Sequence, residues 1–293
     1  VQNAMGAENF EELRDKVTFI SGNSKNSGKT TFLNYLLPRM RLLTEFAFLT
    51  IGVDGERKDQ IFGTDKPVIE TEKGDVFLSC ENLLNKSDGS FSILQVFPWR
   101  TVLGKLVLVR TERRALIEIA GPENNSQLED IIRYIRETLE IKTVLIDGAV
   151  NRITQVSSSN SAGFYYICKI TQENISSSID KLKVIYSLYE INLLKDVKLD
   201  CETLYIHEGA FTKRSILEIP ENTETIVLED FTKFFISNAE LGQLKMKYSI
   251  RFTNKLFLHG FIINLYNINI EEFKKHLCNK SIIDKCIFNP YKR

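Results

Sequence analysis

A chain of 293 residues, 43% hydrophobic and 26% charged, carries enough apolar material for one large α/β domain or a main domain with a smaller appendage. Lys plus Arg and Asp plus Glu stand at 38 each, so the formal net charge is zero and no global field points to nucleic acid or an acidic membrane. The cysteines Cys80, Cys168, Cys201, Cys278 and Cys286 are widely spaced and form no CxxC pair. Neither a disulfide framework nor a zinc site is indicated, and a reducing compartment fits. No basic leader precedes an apolar segment, and no apolar run reaches about 18 residues, so a soluble cytoplasmic protein is expected. Met5 is read as the native start, after a vector-derived Val1–Ala4.

In chain order, Val17–Ser21 reads as a short buried strand that runs at once into a Gly/Ser/Asn-rich loop. Thr30–Leu43 reads as a helix with Phe32, Leu33, Leu36 and Leu37 on its apolar face, and Pro38 predicts a kink or an end near Leu37. Phe46–Ile51 is a second buried strand. Strand, loop, helix, strand implies a parallel sheet with a right-handed crossover. From about residue 67 to 121 the texture turns to short strands, Val76–Cys80, Phe91–Phe97, Leu103–Arg110 and Ala115–Ile119, separated by turns. This region is expected to be a β-rich insertion beside the main sheet. Ser126 and Glu129 read as a capping box opening a helix to about Glu140, and Lys142–Ile146 as a buried strand ending in Asp147-Gly148. Further strands are expected near Phe164–Ile170, Thr225–Leu228 and Leu256–Leu265, with helices near Ile179–Leu194 and Ile270–Leu277. The expected architecture is a single α/β domain over residues 5–293, a mainly parallel sheet flanked by helices.

The segment Gly22-Asn23-Ser24-Lys25-Asn26-Ser27-Gly28-Lys29-Thr30-Thr31 carries the chemistry. A triphosphate needs many donors and positive charge in a small space. A Gly-permissive loop can turn its N–H groups inward, and the helix behind it adds a partial positive charge. Lys29 can bridge the β- and γ-phosphates while the Thr30 hydroxyl ligates Mg²⁺. These features define a P-loop NTPase pattern, with one irregularity: Asn23 stands where the first Gly of the usual spacing falls, and Gly22 lies one residue earlier. Asn tolerates left-handed backbone, so the loop can still form. Lys25 adds a second cation, which could reach the nucleotide of a partner subunit in a homodimer or make a contact within its own chain.

Asp147, at the end of a buried strand, can hold Mg²⁺ or orient the attacking group; the alternative is an Asp opening a turn before Gly148. Asp54 and Glu56, after the second strand, could order water or metal, or could simply form an Asp-Gly turn around Gly55. Asn85-Lys-Ser-Asp88 spells a guanine-reading motif, but it precedes Asp147 rather than following it, so ATP is expected over GTP. His207, His259 and His276 are scattered without metal-ligand spacing.

Beyond single motifs, Ser24–Thr31, Ile51–Glu56, Lys66-Pro67, Thr101–Gly104, Ile119-Ala-Gly-Pro122, Asn125–Leu128 and Ile146-Asp-Gly-Ala149 occur in this order. Together they resemble the P-loop subunit of the lysine 5,6-aminomutase reactivase family, over roughly Val17–Ile170, with fainter echoes at Leu228–Lys233 and Phe288–Tyr291. The resemblance implies an ATP-driven reactivation chaperone. It would clear damaged cobalamin from an adenosylcobalamin-dependent aminomutase, alongside a MutS-like ATPase subunit. One departure is Asn151 before Arg152, where the family tends to have Asp; if that Asp aids hydrolysis, this chain binds nucleotide better than it turns it over. The rival expectation is an ATP-dependent ligase or kinase related to dethiobiotin synthetase, and a third is a regulator that binds nucleotide without turnover.

Overall fold

A computed structural model describes residues 10–24, 26–52, 68–148, 162–196 and 203–291. The described chain forms two compact units. Residues up to Ile20 and from Gly28 to Gly148 make the first; Ser21–Ser27 and the residues from Ala162 onward make the second.

In the first unit, β1 (Val17–Gly22), α1 (Lys29–Met40), β2 (Phe46–Thr50), β3 (Ile69–Thr71), β4 (Val76–Cys80), α2 (Glu81–Leu84), β5 (Ser90–Thr101), β6 (Gly104–Arg113), β7 (Ala115–Ile117), α3 (Asn125–Arg133) and β8 (Thr143–Asp147) follow one another. Their sheet runs in the order β1-β8-β2-β4-β6-β5. The pairs β1/β8, β8/β2 and β2/β4 are parallel, and the hairpin of β5 and β6 continues the sheet antiparallel from β4. Strands buried on both faces need continuous apolar runs rather than alternation. Val17, Phe19, Ile20, Ala47, Phe48 and Leu49 are accordingly all 0% exposed.

The strands expected to stand beside the main sheet as an insertion instead prolong it. β4 pairs with β2 through Ala47↔Val76 and Phe48↔Phe77, so its Val76–Cys80 core merges with that of the parallel strands. β3 and β7 stand apart, as an antiparallel pair.

Of the two outcomes expected at Pro38, a kink or an end near Leu37, the end does not occur: helix α1 runs through Pro38 to Met40. Proline forgoes one helical bond, but the last turn is held from other directions. Arg41 N–H donates to the Leu37 carbonyl at 3.1 Å, and the Arg41 guanidinium grips Asp75 through Nη2 at 2.6 Å and Nε at 3.0 Å. Phe32, Leu33, Leu36, Leu37 and Met40 are at most 1% exposed. Each such burial is worth about 1.5–3 kcal/mol over an exposed side chain, which together outweighs the roughly 3 kcal/mol cost of an interior proline. Tertiary packing therefore overrides the local signal.

Helix α3 is capped by Asn124 rather than by Ser126. The Asn124 side chain accepts from Gln127 N–H at 3.0 Å, and Ser126 falls inside the first turn. The helix is regular only to Arg133 and closes with a π turn, Tyr134–Thr138.

The second unit contains β9 (Ala162–Ile170), α4 (Ile175–Tyr189), β10 (Leu204–Ile206), β11 (Phe211–Thr212), α5 (Lys213–Leu217), β12 (Thr225–Leu228), β13 (Phe234–Phe235), α6 (Asn238–Lys247), β14 (Ser249–Phe252), β15 (Phe257–Leu265), α7 (Ile270–Leu277), α8 (Lys280–Ile283) and β16 (Cys286–Phe288). β9, β15 and β16 pair in parallel, with β15 in the centre. A separate three-stranded parallel sheet has the order β10-β12-β14. Helix α4 starts earlier than its hydrophobic pattern suggests, because Ile175 and Ser178 already lie in its buried face.

Candidate functional site

Helix α1 opens on a residue that only glycine adopts at ease. Gly28 is the N-cap, at φ 99° and ψ 24°, in the left-handed region. Among the described residues no side chain caps this end, and the first turn contains no carboxylate. An α-helix leaves its first N–H groups without helical acceptors, and its dipole adds partial positive charge there. Lys29, Thr30 and Thr31, the first three residues of α1, therefore sit where an anion is favoured.

Thr30 is tied to the carboxylate expected to work beside it. Its Oγ1 donates to Asp147 Oδ2 at 2.8 Å. Asp147 is only 7% exposed and is the last residue of β8, in register with Ile20 of β1 and Thr50 of β2. Its carbonyl accepts from Thr50 Oγ1 at 2.9 Å and from Ile51 N–H at 3.0 Å. A hydroxyl from the helix start and a carboxylate from the next strand thus meet at the carboxyl ends of parallel strands, where ligands of open α/β sheets gather.

The family-like segments Ile51-Gly52 and Ile119-Ala-Gly-Pro122 converge on this point. Gly121 N–H donates to the Gly52 carbonyl at 3.1 Å, and Gly52 N–H to the Pro122 carbonyl at 2.8 Å. A Cβ on Gly121 would stand 1.7 Å from the Thr50 carbonyl oxygen. Gly121 is glycine so that this chain can lie flat against the backbone of Thr50, whose hydroxyl in turn fixes Asp147.

The earlier loop residues are held within the second unit. Asn23 N–H donates to the Ile167 carbonyl at 3.0 Å, and its carboxamide takes up both backbone groups of Lys169 at 3.4 Å. The left-handed residue expected at Asn23 is instead Asn26, at φ 58°. Gly22 serves by close approach, since a Cβ there would stand 2.2 Å from Ser27 Oγ. The Ser27 carbonyl accepts from Asn264 Nδ2 at 2.9 Å. Ser24 is exposed, with its Oγ on Asn23 Oδ1 at 3.2 Å.

Lys25, Asp54 and Glu56 lie outside the described residues, as do Lys66-Pro67, Ala149, Asn151 and Arg152. The Asn85–Asp88 motif falls in a turn between α2 and β5, where Ser87 Oγ donates to the Leu116 carbonyl at 3.3 Å. That role is structural. His259 is buried between the rings of Tyr165 and Phe257, 5.2 Å from each, and His207 is engaged with Tyr205 and the Ala210 carbonyl. Among the described residues no group of three or more His, Cys, Asp and Glu gathers as an all-protein metal cage.

One hydroxyl and one carboxylate nevertheless suit Mg²⁺, which commonly takes only one or two protein oxygens and completes its shell with phosphates and water. No motif points to Thr50 or Asn264, while Gly121 and Tyr291 fall within segments that carry the resemblance. Asn264 had a signal, as the one amide in the apolar run Phe257–Leu265. No family model, curated protein or solved structure matches the chain.

Proposed function

We propose that this chain binds ATP with Mg²⁺ at the start of α1 and uses it to act as a reactivation chaperone for an adenosylcobalamin-dependent aminomutase. The observation that carries the nucleotide reading is the Thr30–Asp147 hydrogen bond of 2.8 Å below an uncapped helix start. The order of the family-like segments carries the chaperone reading, together with its MutS-like partner subunit.

Within that reading, the first-turn N–H groups of α1 and the Lys29 ammonium hold phosphate oxygens and offset charge on the transferring group. Thr30 and Asp147 would hold Mg²⁺, which supplies further charge neutralisation when bound. Thr50 and Ile51 hold the Asp147 backbone carbonyl, and the Thr30 hydroxyl holds its carboxylate. Asp54 or Glu56 orders the attacking water.

Lys29→Ala should abolish ATP binding in calorimetry while leaving the far-UV spectrum and unfolding midpoint unchanged. Unaltered binding in that variant would refute the site. For the partner, affinity capture from native extract with and without ATP should recover an aminomutase or a MutS-like subunit; recovering neither removes the chaperone reading. ATP-dependent phosphorylation or ligation of a small molecule by the isolated chain would favour the dethiobiotin synthetase-like enzyme instead.

A further inference from the structure

Resting on the nucleotide reading, we infer that Asn264 and Tyr291 are positioning residues that aim the phosphate loop, so that triphosphate affinity depends on the C-terminal Asn289-Pro290-Tyr291 segment. Asn264 is 3% exposed, near the end of β15. Its Nδ2 donates to the Ser27 carbonyl at 2.9 Å, and its Oδ1 accepts from Tyr291 Oη at 2.6 Å. Chemistry fixes the sense of the amide: turned over, it would set Oδ1 against the Ser27 carbonyl, oxygen against oxygen.

Peptide planarity carries the consequence into the loop. Among the described residues no peptide is cis, so the Ser27–Gly28 unit is trans, and its carbonyl and N–H point in opposite directions. Anchoring the Ser27 carbonyl on Asn264 therefore turns the Gly28 N–H away from Asn264. On either side, Asn26 at φ 58° and Gly28 at φ 99° are left-handed, so this peptide sits between two reversals. The other end of the loop is fixed by Asn23 on β9.

Tyr291 is held from its own side. Asn289, at φ 43°, accepts from Leu265 N–H through Oδ1 at 2.9 Å and donates its N–H to the Ile263 carbonyl at 2.9 Å. Pro290 then fixes the direction in which the chain delivers Tyr291. Burial pushes the Tyr291 hydroxyl up to about 12, with the Asn264 hydrogen bond partly opposing it, so the group stays a donor at neutral pH.

The test uses the full chain and compares ATP with AMP by calorimetry. Tyr291→Phe keeps the ring and removes the donor. It should weaken ATP about tenfold, the worth of one net hydrogen bond, while AMP affinity stays near wild type and the urea midpoint falls only modestly, with the fold intact. Asn264→Asp keeps the shape but sets a carboxylate against the Ser27 carbonyl once ionised. Its ATP affinity should therefore fall as pH rises, along a profile absent from the wild type. ATP binding unchanged in both variants overturns the inference, as does a loss shared equally by ATP and AMP. If the wild type binds ATP but Lys29→Ala does so equally well, the nucleotide reading itself has failed; if the variants bind normally while Lys29→Ala does not, only the positioning role has.

Discussion

Replacing Thr30 with Val isolates the contact on which the metal assignment depends. The two side chains match in shape and have similar helix propensity, so the change removes a hydroxyl and little else. In the ligand-free protein that hydroxyl donates to Asp147 at 2.8 Å, and Asp147 is 7% exposed. A hydrogen bond to a charged group is worth about 1.5–3 kcal/mol, and the half-buried position of Thr30 favours the lower half of that range. Thr30→Val should therefore destabilise the free protein by about 1.5–2 kcal/mol, and Thr30→Ser, which keeps the donor, should restore most of it. Urea denaturation of the wild type, Thr30→Val, Asp147→Ala and the double variant gives the coupling directly, and at least about 1 kcal/mol is expected. ATP binding is then titrated with and without Mg²⁺. The gain in affinity that Mg²⁺ brings to the wild type should shrink about tenfold or more in both single variants. A coupling near zero together with an undiminished Mg²⁺ gain would refute the assignment of Thr30 and Asp147 as the metal pair.

Other substitutions probe the scaffold behind the site. Gly121→Ala places a Cβ 1.7 Å from the Thr50 carbonyl oxygen, a backbone atom that cannot swing aside. It should cost about 3 kcal/mol or more, whereas Gly148→Ala, whose Cβ meets the flexible Ile51 side chain at 3.0 Å, should cost less; equal thermal midpoints for the two would contradict the close-approach argument. Asp75→Ala leaves the Arg41 guanidinium without the carboxylate it grips at 2.6 Å and should destabilise by about 3 kcal/mol, read from urea midpoints. Asp230 is 0% exposed and its Oδ2 finds no hydrogen-bond partner among the described residues; burial raises its pKa above the ordinary 3.8, against the opposing bonds from Thr232. A raised folded pKa gives stability that is full below 3.8 and lost as pH climbs through the folded value. Asp230→Asn should flatten that decline above pH 3.8, and a variant with the wild-type slope would exclude Asp230 as its source.

Much of the fold was legible because its strands are buried on both faces. Val76–Cys80, Thr225–Leu228 and the helix Ile270–Leu277 stand where their apolar runs and periodicity place them. Features set by distant partners were not legible. Pro38 signals a helix end locally, but Arg41 on Asp75 and the burial of Met40 carry the helix past it. Asn124 and Ser126 are both competent caps, and Asn124 takes the role in the structure. Short strands with tight turns look alike whether they form a separate insertion or extend a sheet; the pairing of Val76 with Ala47 decides, and no local pattern encodes it.

The candidate site divides along the same line. Thr30 and Asp147, residue types expected to suit phosphate and metal, stand within hydrogen-bond distance, and Lys29 opens α1. The departure at Asn23 reads as a defect only if the first glycine of such a loop is taken as indispensable. Glycine is useful there for backbone freedom, and the structure places that freedom elsewhere, at Asn26 and Gly28. Relieved of it, position 23 can carry a side chain, and Asn23 uses its carboxamide to bind both backbone groups of Lys169, extending the ladder of β9 into the loop. The Ser27 carbonyl on Asn264 is the matching anchor at the other end. A loop with few glycines thereby gains fixed points that a more permissive one lacks, at the cost of depending on residues more than a hundred positions away. Motif spacing alone cannot register such a trade, because the compensating residues lie on other strands.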